Sequence, residues 1–183
     1  MKECVNNVAV TRSQDNLLTV RFDKNVDAPA ALYWSAEADA AGDKTLVSAD
    51  AQSGFSFNEP PKGERRIYRI LVADGCAPIV FGERTLPIRG LNNFRDYGGY
   101  RGAGGKRIKW GKLYRSNHLN RLAPEAKRYI EALHIQTIID YRSDHEIDKS
   151  PNDYVGEKQS VNVDPSAHTA ELAAQFAAKP DDE

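Results

Sequence analysis

The sequence predicts two domains, an all-β sandwich followed by the first part of an α/β domain. Short alternating segments separated by turn residues run from residue 8 to about residue 86, and such regularly spaced strands are typical of an antiparallel sandwich. From Gly90 onward the pattern changes to turns, a helical stripe and a β-branched run. We therefore place the domains at residues 1–86 and 87–183, joined by a linker with few contacts around residues 84–90.

Four strands are predicted in the first half of the chain. They cover residues 17–22, 31–34, 54–57 and 66–72. In the first of them the alternation places Leu18, Val20 and Phe22 on one face, as the two-residue period of a strand requires. The layout is similar to an immunoglobulin-like or fibronectin type III module, and that likeness rests on the pattern of strands and turns alone.

The second half is predicted to combine a hairpin, helices and one buried strand. A hairpin covers residues 100–110, with a glycine-rich tip. Pro124 begins a helix, where its missing N–H costs nothing, and an apolar stripe follows at helical spacing: Ala126, Tyr129, Ile130 and Leu133. Residues 137–139 fit a strand buried on both faces of a sheet. A further helix is predicted at residues 170–178, before a frayed end.

Composition excludes several classes of function. Hydrophobic residues make up 40% and charged residues 28% of the chain, and the net charge is −1. That balance gives no general attraction to nucleic acid, and no apolar run reaches the roughly 18–20 residues that span a bilayer. The first seven residues resemble no signal peptide, which favours the cytoplasm by default; export to the periplasm or beyond is the alternative if a leader has been removed.

The cysteines and histidines predict no metal site. The four histidines lie far apart without ligands at zinc spacing, and we expect no metal or other cofactor. The two cysteines, Cys4 and Cys76, are interpreted as unrelated thiols in preference to a single disulfide. The oligomeric state is left open.

Three segments place arginine beside small polar or acidic residues. They are residues 93–100 (NFRDYGGY), 111–116 (GKLYRS) and 140–143 (DYRS). Arginine in such rigid surroundings is suited to holding an anionic group. In order and spacing the three segments resemble the opening of the bacterial tyrosine/serine phosphatases related to the secreted mycobacterial and listerial enzymes, and the likeness covers roughly residues 91–151.

The resemblance implies a cysteine-dependent phosphomonoester hydrolase. Its substrate would be phosphotyrosine in a protein, with phosphoserine, phosphothreonine and phosphoinositides as alternatives, and its nucleophile would be a thiolate in a cysteine-x5-arginine loop. That loop is missing, because Val10 is six residues after Cys4 and Gly82 is six residues after Cys76. We therefore expect the front portion of a phosphatase, inactive by itself. The alternative is a non-catalytic binding protein that uses the sandwich and carries a pseudophosphatase remnant.

Within the three segments, roles follow from residue type and position. Asp140, at the end of the buried strand, is predicted to be a general acid or to support the phosphate loop. Three arginines are predicted to bind the substrate: Arg95, Arg115 and Arg142. The other motif positions are predicted to be structural: Asn93, Phe94, Asp96, Gly98, Gly99, Ser116 and Ser143.

Structural alternatives accompany these roles. A buried ion pair between Arg95 and Asp96 is favoured over direct substrate contact by Arg95. Arg115 and Ser116 either bind an anion or serve the fold, and Arg142 could form a helix-surface pair with Glu146. Two further interpretations are structural alone: a tight turn or close backbone approach at the two glycines, Gly98 and Gly99, and a helix N-cap at Ser143 with acids in the first turn.

Overall fold

The structure is a computed structural model that describes residues 2–35, 45–51, 53–58, 67–72 and 75–164. In this part of the chain β-strands predominate and helices are few. The helix predicted at residues 170–178 and the end after it lie outside the described residues, as does the first residue of the strand predicted at 66–72. Among the described helices, none has the length and apolar character needed to cross a bilayer.

In the described part of the first half, seven strands form two antiparallel sheets. The strands are β1 (Val5–Arg12), β2 (Leu17–Lys24), β3 (Ala30–Ser35), β4 (Thr45–Ala51), β5 (Gly54–Asn58), β6 (Ile67–Val72) and β7 (Ile79–Gly82). One sheet has the order β1-β2-β5 and the other β4-β3-β6-β7. The four predicted strands are confirmed as β2, β3, β5 and β6. The remaining three were missed, and in β1 the reason is visible: two asparagines, which are depleted in strands, lie at an irregularity in its pairing with β2.

Both sheets contribute to one hydrophobic core. Leu18, Val20 and Phe22 are at most 3% exposed, which confirms the predicted inner face of β2. Each such side chain stabilises the fold by roughly 1.5–3 kcal/mol through its burial. The buried cluster consists of Val5, Leu18, Val20, Phe22, Ala30, Leu32, Phe55, Ile67, Tyr68, Ile70, Phe81 and Trp110. Trp110 joins this core from beyond the predicted domain boundary.

The predicted linker is buried rather than free of contacts. Leu86 is 3% and Ile88 5% exposed, and the Leu86 N–H donates to the carbonyl of Phe94 at 3.0 Å. The expectation of few contacts is therefore wrong. Leu86 and Ile88 alternate along the segment, and both apolar side chains are buried. Contacts divide the chain into two compact units. The first unit extends to Ile88 and includes Asn92–Ser116, and the second consists of Arg89–Leu91 and the chain from Asn117 onward.

The first unit also contains the predicted hairpin and a small ladder. Strand β8 (Arg95–Asp96) pairs antiparallel with β9 (Tyr114–Arg115). Between them, Ile108 donates to the carbonyl of Tyr100 at 2.9 Å, and a short 3-10 turn at Ala103–Gly105 forms the tip. The hairpin predicted over residues 100–110 is thereby confirmed. The domain boundary at 86/87 stays a prediction.

The described residues of the second unit, which end at residue 164, form two helices and a two-stranded parallel sheet. Its elements are α1 (Pro124–Glu131), β10 (Thr137–Asp140), α2 (Asp144–Lys149) and β11 (Gln159–Asn162). Helix α1 begins at Pro124 as predicted and buries Ala126 and Ile130. The prediction that β10 is buried on both faces is wrong, since Ile139 is 51% exposed. Ile139 is exposed because, among the described residues, β10 pairs with one strand and is not covered by a larger sheet.

Candidate functional site

Asp96 joins the first two motif segments within the first unit. Its carboxylate is 1% exposed at the end of β8, where Oδ1 accepts the Gly98 N–H at 2.6 Å and Oδ2 accepts the Gly111 N–H at 2.7 Å. Gly98 belongs to the segment at residues 93–100, and Gly111 begins the segment at 111–116. Because each carboxylate oxygen accepts a backbone N–H from a different segment, Asp96 fixes the two segments against each other.

Gly98 and Gly99 lie directly against the indole of Trp110. A Cβ on Gly98 would be 2.4 Å from Cδ2 of that ring, and one on Gly99 would be 2.9 Å from Cζ2. Gly99 also has a φ of +81°, which side chains other than glycine rarely adopt. The predicted turn with close approach is therefore confirmed, and the close neighbour is an aromatic ring.

Arg84 supports the first motif segment, a role that sequence reasoning missed. Its guanidinium donates to the carbonyls of Asp96 at 2.7 Å and Gly98 at 2.9 Å. The same group lies 4.2 Å from the ring centre of Tyr100 and 4.9 Å from that of Trp110, both within range of a cation–π interaction. No signal in the sequence could have found this role, because Arg84 lies outside the three segments.

Arg95 and Arg115 face each other across the β8–β9 ladder. They are paired residues in the antiparallel register, and both are exposed. The predicted buried ion pair between Arg95 and Asp96 is wrong, since adjacent strand residues point to opposite faces and only Asp96 is buried. Among the described residues neither arginine has an ion-pair partner. Two like charges set opposite each other destabilise a ladder unless something compensates them.

The other residues of the first two segments support this ladder. Phe94 is 2% exposed, and its ring lies 5.6 Å from that of Tyr114. Asn93 has a φ of 73°, in the left-handed region that asparagine tolerates better than most residues. Ser116 follows β9 and is half-buried. These positions fit the structural roles that the sequence predicted for them, and no ligand role is visible for any of the three.

Asp140 and Arg142 form a hydrogen-bonded network in the second unit. Arg142 donates from Nη2 to Oδ2 of Asp140 at 2.6 Å and from Nε to Oδ1 at 2.9 Å. Asn152 Nδ2 also donates to Oδ2, at 2.8 Å. The remaining guanidinium donor, Nη1, reaches the carbonyl of Ser150 at 2.7 Å. Asn162, at the end of the parallel strand β11, donates to the carbonyl of Arg142 at 2.8 Å.

This network determines the charge state of both side chains. The hydrogen bond from the Arg142 side chain lowers the pKa of Asp140 below its ordinary value of 3.8, against the opposing effect of desolvation. The same bond raises the pKa of Arg142. Asp140 is therefore an ionised acceptor around neutral pH, whereas an effective general acid has a pKa near the working pH.

Ser143 and Glu146 form a capping box at the start of α2. Glu146 Oε2 accepts hydrogen bonds from the Ser143 N–H at 3.0 Å and from the Ser143 hydroxyl at 2.8 Å. These bonds lower the pKa of Glu146. The predicted N-cap is confirmed. Arg142 and Glu146 influence each other's pKa through their charges, but their side chains are hydrogen-bonded to other groups and Arg142 lies outside the helix, so the alternative of a direct pair on the helix surface is not what the structure has.

Cys4 and Cys76 form a disulfide in the first unit, with a Cα–Cα distance of 5.6 Å. The interpretation as unrelated thiols is therefore wrong: the backbones of Lys2 and Ala77 are hydrogen-bonded at 2.8 Å and bring the cysteines together. Neither cysteine is left as a free thiol. Within the described ranges, no cluster of histidine, cysteine, aspartate or glutamate is arranged to hold a metal ion.

The structure thus groups the predicted site residues into two sets. Arg95 and Arg115 lie together in the first unit, on the frame that Asp96, Gly98 and Gly99 build. Asp140, Arg142 and Ser143 lie together in the second unit. Sequence reasoning did not identify Asn152, which has no motif around it.

Comparison with known proteins identifies the family. The model of the tyrosine phosphatase family matches residues 86–183, more than half of the chain, and the chain therefore belongs to the tyrosine phosphatase family. A Cupriavidus necator protein that is provisionally named a tyrosine-protein phosphatase is 35% identical over 78 residues. The matched part is 43% of this chain and 28% of that relative, so the chain spans little more than a quarter of the relative's length.

Proposed function

We propose that this chain is part of a cysteine-dependent phosphomonoester hydrolase whose nucleophile loop is supplied by additional polypeptide. Family membership supports the reaction class. The disulfide supports a nucleophile from additional polypeptide, because it occupies both cysteines of the chain. The observation that carries the proposal is the facing pair of Arg95 and Arg115, two exposed guanidinium groups on a rigid frame with no carboxylate partner among the described residues.

In the proposed reaction the two arginines hold the phosphate oxygens. Guanidinium groups suit this role because their donors match the geometry of phosphate. A thiolate from the additional polypeptide attacks phosphorus while the ester P–O bond breaks, and an acid protonates the departing oxygen. Water then hydrolyses the phosphocysteine. Phosphotyrosine is the proposed substrate, with phosphoserine, phosphothreonine and phosphoinositides as alternatives.

We assign Asp140 a positioning role in place of the acid role. Its lowered pKa keeps it ionised, and its oxygens already accept bonds from Arg142 and Asn152. All three guanidinium nitrogens of Arg142 already donate hydrogen bonds within the protein. This favours a role for both residues in holding the loop after β10, and it argues against direct binding of substrate by Arg142.

The test compares two substrates in an active polypeptide that contains this chain and a cysteine-x5-arginine loop. Asp140→Asn should slow hydrolysis of a phosphotyrosine peptide and of p-nitrophenyl phosphate by similar factors and should lower the melting temperature. A selective loss of about 10²–10³-fold on the peptide would restore the acid role, since only the poorer leaving group needs the proton. The chain alone should show no turnover. If the isolated chain is active and stays active after Cys4→Ser and Cys76→Ser, the proposal that the nucleophile comes from additional polypeptide is refuted.

The two antiparallel sheets that share one core support an immunoglobulin-like or fibronectin type III-like sandwich, and we propose that fold for the first domain. Two truncations separate the candidate boundaries. If the domain ends at residue 86, a chain cut there should keep a β-type circular dichroism spectrum and melt cooperatively. If it extends to Ser116, only the longer truncation should do so, because the shorter one loses Trp110 from the core.

The disulfide supports the exported alternative for localisation, because such crosslinks persist in oxidising compartments. Alkylation of the protein as isolated from its own cells tests this. Protection of both cysteines until a reductant is added is the expected result, and two thiols that react at once would indicate a reducing compartment.

A second candidate function is that of a non-catalytic binding protein. It is supported by a cleft in the first unit, between strands β1 and β7 and the hairpin at residues 100–110. It predicts that no polypeptide containing this chain turns over any phosphomonoester, including the most activated aryl phosphates.

A further inference from the structure

The first unit contains a cleft of about 590 Å³, within the size range of sites for small ligands. It is bordered by two edge strands, β1 and β7, and by the hairpin at residues 100–110. One side of the cleft is apolar, with Val5, Val8, Ile79 and Ile108 among its residues. None of the residues assigned above to phosphate binding lines it.

The other side of the cleft is strongly cationic. Among the described residues, those that line it include four basic ones, Arg84, Arg101, Arg107 and Lys109, and one acidic one, Glu3. Arg101 and Arg107 face each other in an antiparallel bridge of the hairpin. Glu3 lies between them, 3.5 Å from Nη2 of Arg101 and 3.7 Å from Nη2 of Arg107. Ion pairs this long between exposed side chains contribute little stability, so Glu3 is an easily displaced counter-ion.

Trp110, one of the residues that line the cleft, carries a buried donor without a partner in the described part of the chain. Trp110 is 8% exposed, and its Nε1 has no hydrogen-bond partner among the described residues. Buried donors are nearly always paired. Nε1 is 3.1 Å from the position that a Cβ on Gly99 would take, and Arg107 Nη1 donates to the carbonyl of the same glycine at 3.0 Å. The indole of Trp110 and the guanidinium of Arg107 therefore both contact Gly99 in the wall of the cleft.

We propose that this cleft binds a phosphoryl group carried on an apolar body. The three donor side chains, Arg101, Arg107 and Trp110, provide one donor for each of the three terminal oxygens of a phosphoryl group, and the paired arginine charges complement its charge of about −1.5 to −2. The apolar side accommodates the attached body. Glu3 occupies the anion position in the empty cleft and leaves it when the ligand enters. The inference is independent of the proposed hydrolase activity, because it requires neither a nucleophile nor the Arg95–Arg115 pair.

Calorimetric titration of the whole chain tests the proposal, with phenylphosphonate as a non-hydrolysable probe. Arg101→Ala with Arg107→Ala should weaken binding by about tenfold or more, since charge-assisted bonds are the strong ones. Glu3→Gln should tighten binding severalfold by removing the competing carboxylate. Lys112→Ala, a change at an exposed cation outside the cleft, should leave affinity unchanged. Tryptophan emission should change on binding and stop changing in Trp110→Phe.

Additional probes identify the source of the ligand. Inorganic phosphate should bind more weakly than phenylphosphonate because it lacks the apolar body. A phosphotyrosyl peptide that binds more tightly than phenylphosphonate would indicate a protein ligand, and equal affinity would indicate a free aryl phosphate. The proposal is overturned if phosphate and phenylphosphonate bind equally, if Lys112→Ala weakens binding as much as the double variant, or if Glu3→Gln fails to tighten it. Unchanged melting temperatures would exclude misfolding as the cause of a lost signal.

Discussion

Asp96 and Asp140 both belong to motif segments that contain an arginine, yet the two carboxylates are held in different ways. Asp96 accepts bonds from two glycine backbone N–H groups and is 1% exposed. Asp140, with a side chain 10% exposed, is held mainly by the side chains of Arg142 and Asn152. The first carboxylate is therefore a fixed part of the frame, whereas the second depends on its own charge and on that of its partner.

The difference follows from the local backbone at each site. Within strand β8 adjacent residues point to opposite faces, so Arg95 is turned away from Asp96 and stays exposed. Arg142 follows the end of β10 in a bend, where its backbone N–H also donates to Oδ1 of Asp140 at 3.0 Å, and this turn brings its side chain back to the carboxylate. Proximity in sequence therefore predicts an ion pair only when the local backbone conformation is known.

The largest effect is expected from Asp96→Ala. It leaves the buried Gly98 N–H and the partly buried Gly111 N–H without acceptors, which should lower the free energy of unfolding by roughly 3 to 5 kcal/mol. Asp96→Asn retains the shape and one acceptor oxygen and should cost less. Urea denaturation followed by fluorescence measures both. A loss below about 1 kcal/mol for the alanine variant would show that Asp96 does not hold the frame.

The disulfide should rank next. Reduction, or Cys4→Ser with Cys76→Ser, should lower the free energy of unfolding by about 2–4 kcal/mol, because the crosslink restricts a long stretch of the unfolded chain. Denaturation with and without reductant measures it, and the double variant should be insensitive to reductant. If the double variant still responds to reductant, the effect does not come from this bond.

At Asp140 the expected effect is smaller and depends on pH. Asp140→Asn should cost about 1–2 kcal/mol at pH 7, the range for hydrogen bonds to a charged group at a partly exposed site. Because folding lowers the pKa of Asp140 from 3.8, this stability is present well above that value and is lost as pH falls through the folded pKa. Wild type and variant should therefore converge in strong acid.

Asp148→Asn provides the matched control, since it removes the same charge at an exposed position of α2. Its stability should stay within about 0.5 kcal/mol of wild type, as is usual at the surface. A difference between wild type and Asp140→Asn that does not shrink as the pH is lowered from neutral through the ordinary value of 3.8 and further into strong acid would show that the contribution does not come from the ionised carboxylate.

The smallest effect is expected from Arg115→Glu. It replaces a pair of facing like charges by an opposite pair, which should raise stability by a few tenths of a kcal/mol. Lys112→Glu makes the same charge change at a neighbouring exposed position and should leave stability unaltered. Thermal melting at low and high salt measures both. A stabilisation equal in the two variants would reflect net charge and not the ladder.

The sequence was sufficient for elements whose signals are local. Strands β2, β3, β5 and β6 carry alternation or a β-rich run, and Pro124 and Ser143 begin helices by rules that involve only a few neighbouring residues. Gly98 was also predictable, because a glycine pair in an aromatic segment indicates close approach. Its neighbour, Trp110, was not.

Features that depend on distant residues could not be predicted. Strand β1 pairs with β2 through a shift in register, and the disulfide needs the backbone pairing of Lys2 with the residues around Cys76. Arg84 receives its role from carbonyl groups 12 and 14 residues away. In the candidate site, Asp140 and Arg142 were identified as a motif, but Asn152 completes their network from a segment with no recognisable pattern.

The disulfide has a mechanical consequence. Tension applied between the first residues and the end of the first unit passes from Cys4 directly to Cys76, which are 72 residues apart in sequence. The enclosed strands β1 to β6 bear none of that load, and about 250 Å of potential extension stays locked. Stretched from its ends, the oxidised protein should therefore lengthen only by the chain outside the crosslink, and a reductant should release the hidden length in a separate step.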